Sequence, residues 1–418
     1  MHYDAIIVGA RVAGATLAML LGRQGRRVLL VDRATFPGDT LSTHFLNPFG
    51  VARLAELGVL QDVEALGFRR VPRVRSIVAD CIVDVPFTGP GPFTYALVPR
   101  RDGLDAILIK HARRNPTVEF REGTAVERLL WEDDRVVGAA LRCGERREEA
   151  RAAVVVGADG RHSAVAQWVA APTYEETPAL RPAYFGYYRG VTPLPEPAIE
   201  VFFQEGHIGF LFPMQPDVDC LGLEVHGEDF ATFRQDPQGC LEERFRQLYG
   251  MADRMAGARL EGLVYGTRGI ANFLRRPAGP GWALAGDAAC CKDPITGTGI
   301  RDAFSQSVLL AEALGKTFDG ADWDATLDTY QCERDDLLLP FLRETVDIAR
   351  QDEISAEALA WFHAALCNPF WVHTLASNIQ AAVAAPGVIP LFTLGLVGNL
   401  ARLYGATPPA RQPSEVAR

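Results

Sequence analysis

Positive charge is in short supply. There are 42 Lys and Arg against 52 Asp and Glu, a formal net charge of −10. Neutralising phosphates needs a basic surface, so nucleic acid is excluded as the main partner, while a local basic groove stays open. The eight cysteines make no Cys-x-x-Cys pair and keep no regular spacing, which removes the grounds for a zinc site or a disulfide framework. No internal repeat or low-complexity tract stands out. The opening Met1-His2-Tyr3-Asp4 lacks the basic and apolar regions of a secretion signal, so reduced cysteines and a cytoplasmic location are expected. What remains is ordinary for a globular chain: 48% hydrophobic, 22% charged and, at 418 residues, long enough for two or more domains.

Against that background one short stretch stands out. Gly9-Ala10-Arg11-Val12-Ala13-Gly14 sits where a dinucleotide-binding turn reads Gly-x-Gly-x-x-Gly, with Arg11 in the second glycine position. Before it, Tyr3 to Val8 is an apolar run of the kind a doubly covered strand makes. After it, Ala13, Leu17, Leu20 and Leu21 recur at helical spacing, and Val28-Leu29-Leu30-Val31 then ends in Asp32. Strand, turn, helix, strand, acid is the order of a βαβ unit whose acid meets a ribose hydroxyl.

Further along, Val118 to Ala158 reads as strands between charged turns. Prolines and aromatics from Pro172 to Pro197 mark passage into another domain, and Ile199 to Val225 alternates as an antiparallel sheet does. Glu242 to Leu248 looks helical, Trp282 to Ala285 reads as a strand returning to the first domain, and from Asp322 the pattern is mostly helical. Ile379 to Leu400 is apolar and uncharged, but Pro386 and Pro390 interrupt it. A buried or lid-like helical layer fits it better than a membrane span, with shallow membrane contact left open.

Two more strand–Gly–Asp turns follow. Val154-Val155-Val156 runs into Gly157-Ala158-Asp159-Gly160, with Ser163 placed to cap a helix. Trp282-Ala283-Leu284-Ala285 runs into Gly286-Asp287, followed by Pro294, Gly297, Gly299 and a helix with Ile300, Ala303, Phe304, Ser307, Val308 and Ala311 on one face. Each turn is common alone; three in this order are not.

With these motifs the chain resembles the FAD-dependent monooxygenases of the para-hydroxybenzoate hydroxylase fold, relatives of flavin halogenases and geranylgeranyl reductase-type enzymes, over roughly Tyr3 to Leu314. The resemblance implies an α/β fold. A Rossmann-like FAD-binding domain with a mostly parallel sheet would take 1–75, 97–180 and 265–325. An inserted antiparallel β-sheet substrate domain would take 76–96 and 181–264, and a C-terminal helical region 326–418. FAD would meet Gly9, Arg11, Val12, Ala13, Gly14, Asp32, Arg33, Val126, Asp159, Gly160, Gly286 and Asp287. Arg101, in the Arg-x-x-Leu-Asp string ahead of Asp105, would stand on the flavin side, with Arg100 as its neighbour. Pro294, Gly297, Thr298, Gly299 and Ile300 would lie beside the isoalloxazine, their N–H groups facing the ring edge where charge gathers on reduction.

Three positions depart from the family pattern. Arg11 either turns away from the turn or reaches a phosphate. Ala166 stands where arginine is common. Cys290, beside Cys291, takes a usual histidine place, as packed thiols or as a redox or flavin-attachment pair.

The reaction implied is oxygenation. NADPH or NADH reduces FAD, O2 adds at flavin C4a, and one oxygen passes to an aromatic, polyketide- or terpenoid-like substrate of secondary metabolism near Phe203, Phe210, Phe212 and Pro213. His44 would orient or deprotonate a substrate hydroxyl or serve structure alone. Lys292 would neutralise reduced flavin, bind substrate, or face solvent. The Trp-x-Trp-x-Ile-Pro string of flavin halogenases is missing, so an isoprenoid or alkene reductase is the alternative. No metal is implied, and the protein would be a monomer or homodimer.

Overall fold

The computed structural model describes residues 2–38, 40–42 and 44–350, with 359, 360, 363 and 366. The apolar stretch 379–400 lies outside the described residues. Among the described residues no helix is long and apolar enough to cross a membrane.

The first sheet is built around the βαβ unit. Its central strands run Trp282–Leu284, Arg146–Gly157, His2–Val8, Val28–Val31, Val118–Arg121, all parallel, with Ile6 paired to both Val155 and Leu29. All four residues of Val28–Val31 are fully buried, as a strand covered on both faces requires. The two faces are covered differently. Ala5, Ile7, Val28 and Leu30 pack against helices Val12–Arg23, Arg101–Arg113 and Gly299–Phe318. Ile6, Leu29, Val31 and Val155 pack instead on an antiparallel meander, Thr124–Glu132 and Arg135–Cys143, that folds back from the long strand Arg146–Gly157. On the helix Gly299–Phe318, Ile300, Ala303, Phe304, Ser307 and Ala311 are buried as the spacing predicts, and Val308 is half-buried.

The second sheet has seven strands, in the order Arg259–Thr267, Ala183–Arg189, Val218–Glu224, His207–Gln215, Ala198–Gln204, Arg73–Val78, Cys81–Pro86. It is antiparallel, as expected, except where Ala198–Gln204 runs parallel to Arg73–Val78. Its strands begin ahead of the boundary expected at 76 and run past 264. Strand alternation sorts the aromatics. Phe202, Leu211, Leu221 and Leu223 point outward under the helix Pro237–Gln247, whereas Phe203, Phe210 and Phe212 point toward the first sheet's loops.

A third, small sheet was not anticipated from sequence. It joins Thr173–Thr177, Asn272–Arg275 and Cys290–Cys291 beneath the 27-residue helix Trp323–Ala349.

Candidate active site

Strands His2–Val8, Arg146–Gly157 and Trp282–Leu284 are parallel neighbours, so the three turns that follow them emerge at one edge of the sheet. They touch. Ala158 N donates to Val8 O at 2.7 Å and Ala285 N to Gly157 O at 2.9 Å. Gly9, at φ +103°, leaves so little room that a Cβ would lie 2.3 Å from Ala158 O. A Cβ on Gly14 would lie 1.8 Å from Gly9 O, and one on Gly286, at φ +62°, 2.8 Å from Ala13 Cβ. Side chains at these positions would fill the cradle, so glycine is required there.

The helix Val12–Arg23 starts in this cradle with no side-chain cap and no acid in its first turn. Its free N–H groups and positive dipole end are what a pyrophosphate needs, and on this observation the residues fit a dinucleotide. Asp32, at the end of the second strand, accepts from Ala10 N and Ala34 N, both at 2.8 Å, which fixes its carboxylate beside the turn. Thr124 N donates to Asp32 O, bringing half-buried Val126 into the same corner, while Arg33 is exposed. Asp159 spends its carboxylate locally, accepting from Ser163 Oγ, Ala164 N and Val165 N. Gly160 borders open space and Asp287 is exposed.

The arginines are committed elsewhere. Arg11 Nη1 lies 2.8 Å from Oδ2 of buried Asp105 and 3.1 Å from Gly38 O. Its guanidinium thus ties the turn to the helix Arg101–Arg113. Arg101 holds the same Asp105 at 3.0 Å, one helical turn along. Arg100 pairs with Glu261 at 2.7 Å and lies over the Tyr187 ring.

Beyond Asp287 the chain turns through Pro294–Thr296 and Gly297, at φ +63°, into the helix from Gly299. Lys292 does not face solvent. Its side chain is 5% exposed, with Nζ 2.5 Å from Asp302 Oδ2 and 2.7 Å from Thr298 Oγ1. Arg301 joins Asp302 from the other side at 3.1 Å. Burial pushes the Asp302 carboxyl up, but Lys292 and Arg301 outweigh it and hold the group below the ordinary aspartate value.

This loop forms one wall of a cavity of about 110 Å³. Pro294 to Thr298 face Phe203, Phe210 and Phe212 across it. Pro213 is not in the lining, because strand alternation turns it to the other face. Gly299 and Ile300 also stand outside it. Sequence reasoning missed Phe45, Asn47 and Phe87, which arrive from remote segments, and Phe341, Glu344 and Ile348 of the last helix. The only sequence signal for that trio is its i, i+3, i+7 spacing.

His44 is fully buried and does not line the cavity; its Nε2 lies 2.9 Å from Tyr187 Oη. Burial, then the charges of Arg101 and Arg100, push its pKa down to about 3, so the imidazole is neutral. Cys290 and Cys291 are buried and unpaired, and burial pushes both thiols up, Cys290 to about 12. Raised thiols of this kind are poor nucleophiles, as packed cysteines are. Ala166 is buried in the helix capped by Ser163.

Residues 2–345 match the FAD binding domain family. A 1H-pyrrole-2-carbonyl-(peptidyl-carrier protein) brominase of Pseudoalteromonas luteoviolacea is 24% identical over 79% of this chain and 81% of its own. A 6-methylpretetramide 4-monooxygenase of Streptomyces rimosus is 28% identical over 75% and 76%. A digeranylgeranylglycerophospholipid reductase of Methanosarcina mazei is 28% identical over 77% of each. Three reaction types share the likeness, so it fixes the flavin scaffold and leaves the reaction to the site.

Proposed function

The chain belongs to the FAD binding domain family of flavin-dependent oxidoreductases, and from that premise we propose that it is a monooxygenase for an apolar, ring-bearing small molecule. The observation that carries the reading is the shared wall. The loop Pro294–Thr298 follows the third glycine turn and also bounds the aromatic cavity, so a ring held there would lie beside a flavin seated in those turns. Reduced nicotinamide is the electron source in this reading, and bound FAD, once reduced, supplies the activation of O2.

The protein's own groups do the rest. The uncapped helix at Val12 and the glycines at 9, 14 and 286 seat the dinucleotide. Backbone N–H groups of the loop before Gly299 would meet the side of the flavin where negative charge develops on reduction, and the buried Lys292–Asp302 pair, with Lys292 also on Thr298, holds that loop in place. Phe45, Phe203, Phe210 and Phe212 exclude water and orient the ring. Aromatic lining of this kind selects a flat apolar substrate over a sugar or phosphate ester.

The test is to reconstitute the protein with FAD, supply reduced nicotinamide and a panel of aromatic and polyketide compounds under isotopically labelled O2, and weigh the products. Gain of one labelled oxygen is expected. A halide-dependent product would overturn the reading in favour of halogenation. A product that gains two hydrogens without O2 would overturn it in favour of alkene reduction, as in the M. mazei relative.

A further inference from the structure

Among the described residues that line the cavity, one side chain is ionisable. Glu344 lies one turn after Phe341 and one turn before Ile348 on the helix Trp323–Ala349, so all three face the same space. The helix is docked there by Thr345, whose hydroxyl meets that of Thr296 at 3.1 Å. Glu344 Oε1 is buried, with no hydrogen-bond partner among the described residues. An acceptor left bare in an apolar wall is costly unless something fills it.

The neighbouring charges say what fills it. Lys292 and Arg301 lie close enough to act on Glu344, but both are already bound to Asp302, and both rest against the ring of Phe341. Asp347, the other charged group that acts on it, is exposed. Of the charges that act on the buried carboxyl the two cations come first, and they would oppose a cationic amine beside it. A neutral O–H donor on an aromatic ring meets no such penalty. Burial pushes the Glu344 carboxyl up to about 7, with Lys292 and Arg301 pulling the other way, so near neutrality it exists partly as the stronger acceptor, the carboxylate.

We propose that Glu344 is the specificity-determining residue of this cavity: its Oε1 accepts a hydrogen bond from a hydroxyl on the aromatic substrate and selects phenol-type rings over unsubstituted ones. The proposal rests on reading the cavity as the substrate site.

Its test is binding, not turnover. The FAD-loaded protein is titrated calorimetrically with 2-naphthol and with naphthalene, as wild type, Glu344→Leu and Glu344→Gln. The preference for 2-naphthol is expected to fall at least tenfold in Glu344→Leu while naphthalene binding holds. In wild type that preference should rise with pH through about 7, and in Glu344→Gln it should not change with pH. If both ligands bind and the preference survives in Glu344→Leu, Glu344 does not select the hydroxyl, while the cavity reading stands. If neither ligand binds wild type, the cavity reading fails together with the proposal.

Discussion

Arg11 places Nη1 2.8 Å from Oδ2 of Asp105, a carboxylate with no exposed surface that Arg101 grips from the other side. The residue that interrupts the glycine turn is thus a strut to the helix Arg101–Arg113. Removing the anion strands two guanidiniums, so Asp105→Asn is expected to cost roughly 3–5 kcal/mol in urea unfolding. Arg11→Gly keeps one partner on Asp105 and should cost less, with flavin affinity within a few-fold of wild type. A tenfold loss of flavin affinity at unchanged stability would instead make Arg11 a phosphate ligand.

The glycines separate cofactor retention from substrate fit. In Gly9→Ala the new methyl would meet backbone at 2.3 Å, which cannot yield, and the purified protein should emerge from gel filtration without flavin. In Gly297→Ala the methyl would meet Phe45 at 2.8 Å, a side chain that can move and that stacks on Phe212. The left-handed backbone there adds about 1–2 kcal/mol. This variant should keep its flavin and bind apolar ring ligands about tenfold more weakly. Equal loss of flavin in both variants would contradict the assignment of separate duties.

His44 sets an acid-side slope. Its folded pKa of about 3 lies below the ordinary 6.5, so the stability it contributes is complete above pH 6.5 and drains as pH falls toward 3. At pH 5 the loss is on the order of 2 kcal/mol. His44→Asn should therefore show a smaller fall in Tm between pH 7.5 and pH 5 than wild type. An identical fall would show that the imidazole already escapes burial.

Glu224 and Asp293 set the opposite slope. Both are buried, and with both ionised Glu224 Oε1 and Oε2 and Asp293 Oδ2 would lack donors, so a shared proton is required. Burial raises both, Asp293 to about 6 and Glu224 well above its usual range, with repulsion from Asp293 adding to the latter. The stabilisation is complete below the unfolded carboxyl values; Asp293's share is lost as pH rises through about 6, and Glu224's as pH rises into its raised range. Glu224→Gln supplies a permanent donor, so Tm should fall less between pH 5 and pH 8.5 than in wild type, by about 2 °C. A steeper fall in the variant would refute the shared proton.

The cofactor half was legible because its signals are local. Strand, glycine and acid succeed one another within the first 32 residues, and strand adjacency then brings the later two turns to the same edge. The aromatics of the second sheet were legible from alternation, which also turns Pro213 away from the cavity. What stayed hidden depends on distant segments. Nothing near Lys292 announces that Asp302 closes back on it, and Phe45, Phe87 and Glu344 meet in one cavity only because a loop, a hairpin and a late helix converge.

In the proposed reading the loop Pro294–Thr298 borders the flavin on one side and walls the cavity on the other. Changes to its backbone would then disturb both sides at once, so variation is easier to admit from across the gap. Val201, Phe203, Phe210 and Phe212 line that far wall from the paired strands Ala198–Gln204 and His207–Gln215, away from the three glycine turns. A lineage built this way retools its choice of compound while inheriting its electron chemistry intact, and libraries aimed at that far wall are where an engineer should begin.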